Sequence, residues 1–79
     1  MKTPHELVNL RAGQVASSLI SEGYMLRTRY NYGAMPRVWF KMVHASNGNT
    51  ITADITPQLT RLWKNQKLIK SEPTAMRGV

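Results

Sequence analysis

The 79-residue sequence predicts an α+β domain of two layers, in which an antiparallel three-stranded meander carries two helices on one face. Three observations predict this α-β-β-β-α order. Apolar residues recur at helical spacing near the start, and they alternate with polar residues through the middle. A second Thr-Pro pair, at residues 56 and 57, then repeats the pair at residues 3 and 4. A chain this short forms one domain, expected over residues 1–70, with a flexible tail over 71–79.

The first helix is predicted to begin at Thr3-Pro4 and to end at Gly23. Thr3 can cap the helix, Pro4 suits the first helical position, and Glu6 lies where a capping box requires an acid. Gly23 can adopt the left-handed conformation that ends many helices. The predicted buried stripe consists of Val8, Ala12, Val15, Ala16, Leu19 and Ile20.

The sharpest local signal is Asn47-Gly48, which lies between two alternating runs. This pair is typical of a two-residue type I′ hairpin turn. Such a turn places His44 opposite Ile51 and Lys41 opposite Asp54. Because that register joins apolar residues to apolar residues, except at His44, the alternation supports it.

The preceding hairpin is predicted to turn over residues 33–36. A plain four-residue loop would pair Tyr30 with Trp39 and mismatch the two apolar faces. The alternation therefore predicts a loop of three or five residues, such as a turn with a glycine bulge. A three-residue loop places Arg29 opposite Trp39.

The last third of the chain is predicted to form a second helix that begins at Thr56-Pro57. Leu59, Leu62 and Trp63 would form its apolar face. An alternative for residues 58–70 is the recognition helix and following strand of a winged-helix domain, which this segment resembles.

Charge and composition restrict the possible functions. Lys and Arg number 11 and Asp and Glu four, so the net charge is +7, which favours nucleic acid or an acidic protein as partner. The lack of cysteine excludes disulfides and a thiol nucleophile, and the two histidines and four acids show no metal-ligand spacing. We therefore expect no cofactor, no metal and no catalytic residue, and a non-enzymatic protein is favoured over an enzyme. No apolar run approaches the roughly 18 residues of a membrane span, so a cytoplasmic protein without a membrane partner is expected.

The strand alternation predicts a basic sheet face that includes a tryptophan. Basic side chains neutralise phosphates and an indole stacks on bases, so we expect this face to bind RNA or DNA with low sequence specificity. Basic residues of the second helix would extend the surface. The predicted nucleic-acid-binding residues are Arg27, Arg29, Arg37, Trp39, Lys41, Arg61 and Lys64.

Three alternatives remain open for this face. It is also typical of an ordinary solvated strand face. A small regulator or inhibitor could dock the same residues on an acidic protein, and Met25, Trp39 and Val43 would then supply apolar contacts. The same patch would allow a homodimer through the sheet face. His44 is expected to be structural rather than catalytic.

The predicted α-β-β-β-α order and the basic charge resemble double-stranded-RNA-binding domains and the small mRNA-cleaving toxins of toxin–antitoxin pairs. The RNA-binding domains carry a glycine- and lysine-rich signature where this chain has residues 55–58, Ile-Thr-Pro-Gln. The toxins carry a Gly-Ser-His motif where this chain has residues 33–36, Gly-Ala-Met-Pro. The resemblance is thus one of topology, and it assigns no functional residue.

Overall fold

The computed structural model describes residues 2–75, which form one helix and a five-stranded antiparallel sheet. The strands lie in the sheet in chain order, so each pairs with the next. The α+β class is confirmed, but the predicted three strands and two helices are wrong. The elements are α1 (Pro4–Ser21), β1 (Tyr24–Asn31), β2 (Val38–His44), β3 (Thr50–Ile55), β4 (Leu59–Lys64) and β5 (Lys67–Pro73).

The two ends of α1 are formed as the sequence predicts. Thr3 and Glu6 make both hydrogen bonds of a capping box, and the backbone hydrogen bond from Thr3 lowers the pKa of the Glu6 carboxyl. Gly23 has a φ of 102°, in the left-handed region. A Cβ atom at this position would lie 2.7 Å from Nε2 of His44. Gly23 therefore both ends the helix and leaves room for the imidazole ring.

The hairpin between β2 and β3 keeps the predicted faces but not the predicted register. Trp39 lies opposite Asp54 and Lys41 lies opposite Thr52, which is a shift of two residues. The cause is a longer loop, because the N–H of His44 donates to the carbonyl of Asn49 at 2.8 Å. Residues 45–48 thus form the turn, and Gly48 has a positive φ while Asn47 does not, which excludes a type I′ turn at this pair.

In the hairpin between β1 and β2, an irregularity within β1, and not the length of the loop, aligns the apolar faces of the two strands. Tyr30 lies opposite Trp39, as a plain four-residue loop requires, so the predicted odd loop is wrong. A β-bulge at Arg27 inserts one extra residue between Leu26 and Thr28. Because a bulge shifts the alternation by one, Leu26 still faces Met42 on the apolar side.

The predicted second helix is wrong, and β4 and β5 occupy this part of the chain. Thr56 does not cap a helix. Its backbone N–H donates to the carbonyl of Leu59 at 2.9 Å, and its Oγ1 accepts from the N–H of Leu59 at 3.1 Å. Pro57 and Gln58 are consequently the two central residues of a tight turn from β3 into β4. Thr-Pro suits the start of a helix and the start of a turn equally well.

A second tight turn joins β4 to β5. Asn65 and Gln66 have φ values of 50° and 71° and lie between the paired residues Lys64 and Lys67. Two positive φ values in a two-residue loop are the conformation of a type I′ turn. The Asn65 side chain accepts from the N–H of Thr50 at 2.9 Å, which ties the turn to β3.

The chain after residue 70 continues the sheet. The expected tail begins inside β5, which runs to Pro73, and Thr74 is only 1% exposed. The Thr74 hydroxyl donates to the carbonyl of Thr56 at 2.5 Å and lies 2.9 Å from the Thr60 hydroxyl. The remainder of the expected tail, residues 76–79, lies outside the described residues.

The helix packs across β1, β2 and β3 on one side of the sheet, which we call the covered face. Ile20, which was predicted to be buried, is exposed. Over residues 2–75, no helix combines the length and the hydropathy needed to cross a membrane. The core consists of Val8, Ala12, Leu19, Tyr24, Val38, Phe40, Met42, Ile51, Ala53 and Ile55.

The observed order also removes the basis for the resemblances seen in the sequence. Double-stranded-RNA-binding domains and the mRNA-cleaving toxins were similar in the α-β-β-β-α order and in basic charge, and this chain has two further strands in place of the second helix. The winged-helix interpretation required a recognition helix at residues 58–63, which here begin in a turn and continue as β4.

Candidate functional site

The side of the sheet opposite α1 is the candidate site, and we call it the open face. Residues directly opposite each other on neighbouring strands share a face, so the register assigns its members. The open face includes Met25, Thr28, Tyr30, Tyr32, Arg37, Trp39, Lys41, Val43, Thr50, Thr52, Asp54, Arg61, Trp63 and Leu68.

One row of side chains crosses four strands of the open face. Tyr30 on β1 lies opposite Trp39 on β2, and Trp39 lies opposite Asp54 on β3. Asp54 in turn lies opposite Arg61 on β4. Neighbouring strands are about 4.8 Å apart, so the row brings aromatic, acidic and basic groups together within about 15 Å.

Asp54 is the centre of an ionic cluster on this row. Arg37 donates from Nε to Oδ1 at 2.9 Å and from Nη2 to Oδ2 at 3.0 Å, which is a bidentate pair. Arg61 donates from Nη2 to Oδ2 at 2.6 Å. The Asp54 side chain is 4% exposed, whereas those of Arg37 and Arg61 are 33% and 39% exposed. The acid is therefore covered by two guanidinium groups that still face solvent.

The cluster holds the Asp54 carboxyl in its charged form. Burial raises the pKa of the Asp54 carboxyl, but the hydrogen bonds and charges of Arg37 and Arg61 outweigh burial and leave that pKa below its ordinary value. The hydrogen bond with Asp54 raises the pKa of Arg37. One negative charge thus fixes two positive ones on the open face.

Aromatic rings extend the cluster on both sides. The guanidinium carbon of Arg37 lies 4.7 Å from the ring centroid of Tyr32, and that of Arg61 lies 5.3 Å from the ring of Trp63. Tyr32 meets Tyr30 edge to face, with centroids 4.7 Å apart. The two arginine-to-ring distances lie within the range of cation–π contacts, so each arginine is positioned by Asp54 and by a ring.

A neighbouring row adds one more positive charge. Lys41 lies between Thr28 and Thr52, and Thr52 lies opposite Trp63. None of the acidic residues in the described part of the chain forms an ion pair with Lys41. Three cations and one anion therefore give the described open face a net positive charge.

The structure divides the seven predicted binding residues between two sides of the sheet. Arg37, Trp39, Lys41 and Arg61 share the open face. Arg29 lies opposite Phe40 and Lys64 lies opposite Ile51, which places both on the covered face. Arg27 is the extra residue of the bulge and has no partner in the register.

Four residues of the open face were not among the predicted binding residues. Tyr30 and Tyr32 lie on this face because of the bulge, and Trp63 lies on it because residues 59–64 form a strand. The pairing of Tyr30 with Trp39 follows from a four-residue loop over residues 33–36. The length of that loop was therefore the sequence signal that could have placed Tyr30 on the open face. Asp54 carries no motif, and only the register reveals its two arginine partners.

His44 has structural contacts. Its Nε2 lies 2.9 Å from the carbonyl of Glu22, and its Nδ1 accepts from the N–H of Ser46 at 3.2 Å. Because a carbonyl only accepts, Nε2 carries the proton. The ring also meets Tyr24 edge to face at 4.9 Å. His44 therefore joins the end of α1 to the turn after β2.

Comparison with known proteins leaves the site to be interpreted from its own geometry. No protein-family model matches the chain, and neither a curated protein nor a solved structure gives a significant match to it. Within residues 2–75, no group of three or more metal-ligating side chains is close enough to hold an ion.

Proposed function

We propose that the protein binds nucleic acid, without catalysis and with low sequence specificity, through the open face. The observation that supports this proposal is the combination of three cations with four aromatic rings on one solvent-facing surface. Arginine and lysine neutralise phosphates, and aromatic rings stack on bases. A solvated strand face that serves only solubility does not need the tryptophans and tyrosines.

Arg37 and Arg61 can contact phosphate while they remain hydrogen-bonded to Asp54. A guanidinium has five N–H donors, of which Arg37 uses two and Arg61 one in binding Asp54. Because both side chains are partly exposed, their remaining donors can reach a ligand. Lys41 contributes a third positive charge, and no acidic residue of the described chain forms an ion pair with it.

The proposal is tested by reversing one charge on each face. Lys41→Glu changes the open face and Lys64→Glu changes the covered face, by the same residue types and the same change in net charge. Lys41→Glu is expected to weaken binding of labelled RNA or DNA at least tenfold and to lower the log–log salt slope by about one or more, since each phosphate contact contributes about 0.9. Lys64→Glu is expected to have a much smaller effect. Equal losses in both variants would contradict binding through the open face.

A second candidate function is docking of the open face on an acidic protein partner, or on a second copy of the chain. It is favoured by exposed apolar side chains at the margins of the same surface, Met25 opposite Val43 and Leu68 opposite Trp63. Such an interface would bury these groups, so its affinity would depend weakly on salt. A strong loss of binding on Met25→Ser, with the salt slope unchanged, would favour this candidate.

A further inference from the structure

We infer that the ligand of the open face is a single strand, RNA or DNA, whose bases stack on the rings of this face. The inference rests on the proposed function and specifies its substrate class. It depends on where the rings lie, how wide the surface is and how the arginines are held.

The rings are distributed over three strands. Tyr30 is 56% exposed and lies beside Trp39, while Trp63 lies on β4, two strands further across the sheet. Two strand spacings separate the tryptophans by about 10 Å or more, so they would stack on different bases. Bases in a duplex are covered by their neighbours above and below, whereas those of a single strand can be splayed onto aromatic side chains.

The width of the face also favours a single strand. Five strands about 4.8 Å apart make a surface roughly 19 Å across, and the major groove of B-DNA is about 12 Å wide. The sheet face cannot enter that groove. It could only lie against the outside of a duplex, where the rings would meet phosphates and sugars rather than bases.

The arginines are placed where the backbone of such a strand would run. Asp54 holds Arg37 against Tyr32 and Arg61 against Trp63. Each guanidinium is therefore fixed beside a ring. A base that stacks on the ring would have its phosphate within reach of the neighbouring cation, so the two kinds of contact can form together.

Tryptophan fluorescence reports on ligand binding directly, because the two tryptophans of the chain both lie on the open face. The wild-type protein would be titrated with a 12-nucleotide RNA, a DNA of the same sequence and the corresponding duplexes, at several salt concentrations. We expect binding of at least one single strand to be tenfold or more tighter than that of its duplex, with quenching of tryptophan fluorescence. Tighter binding of the RNA single strand or of the DNA single strand would show which sugar the protein prefers, and either preference supports the inference.

Two variants separate stacking from charge. Trp39→Leu and Trp63→Leu keep an apolar side chain but remove the indole. Each is expected to weaken single-strand binding about 5- to 100-fold, as the loss of one stacked base predicts. Each variant also leaves one tryptophan, whose quenching reports the other position independently. Circular dichroism would show that both variants fold.

The outcomes distinguish the inference from the proposed function. Equal or tighter binding of duplex, without quenching and without loss in either tryptophan variant, would overturn the inference and leave nucleic-acid binding intact. Failure to bind any of the four ligands at low salt would overturn both.

Discussion

The two faces of the sheet are built from the same strands but by different chemistry. In β2, Val38, Phe40 and Met42 are buried beneath α1, while Trp39 and Lys41 alternate between them on the open face. The covered face excludes water with aliphatic groups and the rings of Tyr24 and Phe40. The open face keeps a carboxylate, two guanidinium groups and several rings in contact with each other and with solvent. The buried apolar groups are therefore concentrated on the first face, and the charged groups of the proposed binding surface on the second.

The ionic cluster shows why the open face is not optimised for stability. Moving the Asp54 carboxylate out of water is costly, and its two arginines offset that cost through hydrogen bonds. Apolar residues at the same positions would fill the space without any desolvation of charge. The cluster is more readily explained as a way to hold two arginines in place than as a source of folding free energy.

The largest effect is expected from Phe40→Ala, which removes a fully buried ring from the covered face. Loss of burial and the resulting cavity should lower the free energy of unfolding by about 3–5 kcal/mol. Urea denaturation followed by circular dichroism measures it. Met42→Leu, which conserves volume at a neighbouring buried position, should cost less than about 1.5 kcal/mol. Similar losses in the two variants would contradict a tightly packed covered face.

Asp54→Asn is expected to lower the free energy of unfolding by about 1–2 kcal/mol at pH 7, because hydrogen bonds to a charged group are lost from two partly exposed arginines. The effect should depend on pH. Since the folded pKa of Asp54 lies below its unfolded value, the stabilisation is fully present above that unfolded value, about 3.9, and is lost as the pH falls through the folded pKa. The wild-type and Asn variants should consequently converge below about pH 4. A constant difference from pH 7 to pH 2 would exclude this linkage.

Thr74→Val tests whether the chain beyond β5 belongs to the covered side of the fold. The substitution conserves shape but removes the hydroxyl that contacts Thr60 and the carbonyl of Thr56. A loss of about 1–2 kcal/mol in the free energy of unfolding is expected. The exposed residue Ser71 gives the control, since Ser71→Ala should change stability by less than about 0.5 kcal/mol. If Thr74→Val leaves the free energy of unfolding unchanged, Thr74 would belong to the flexible tail that the sequence predicted.

The smallest effect on stability is expected from Lys41→Ala, which should change the free energy of unfolding by no more than about 0.5 kcal/mol. The same substitution should weaken nucleic-acid binding, because it removes a positive charge from the open face. Thermal unfolding and a binding titration on the same sample measure the two quantities. A large loss of stability without loss of binding would reverse the roles assigned to the two faces.

The sequence predicted some elements well because their signals are local. The capping box of Thr3 and Glu6 and the end of α1 at Gly23 depend on residues within one or two turns of each other. The alternation of Val38, Phe40 and Met42 likewise needs only its own strand. Arg37, Trp39 and Lys41 share the open face for this reason, since their turn and strand were placed with the correct parity. Arg61 joins them although its segment was predicted to be a helix.

The errors came from signals that two structures share. Thr56-Pro57 can begin a helix or a turn. The apolar residues at 59, 62 and 63 fit a helical stripe as well as a strand that has Leu62 on one face and Leu59 and Trp63 on the other. The partners that decided the outcome are distant in the chain. Asn65 binds Thr50, and the Thr74 hydroxyl binds Thr60, so the meander is stabilised by contacts 14 or 15 residues apart.

The sequence by itself determined the α+β class, the first helix, the buried face of β2 and the excess of positive charge, because each depends on composition or on spacing along the chain. Only the tertiary structure decided the bulge at Arg27, the number of strands and the cluster around Asp54. The physical reason is that register is set by pairing between strands. One extra residue in β1 moves Tyr30 to the open face and Arg29 to the covered face without any change in local pattern.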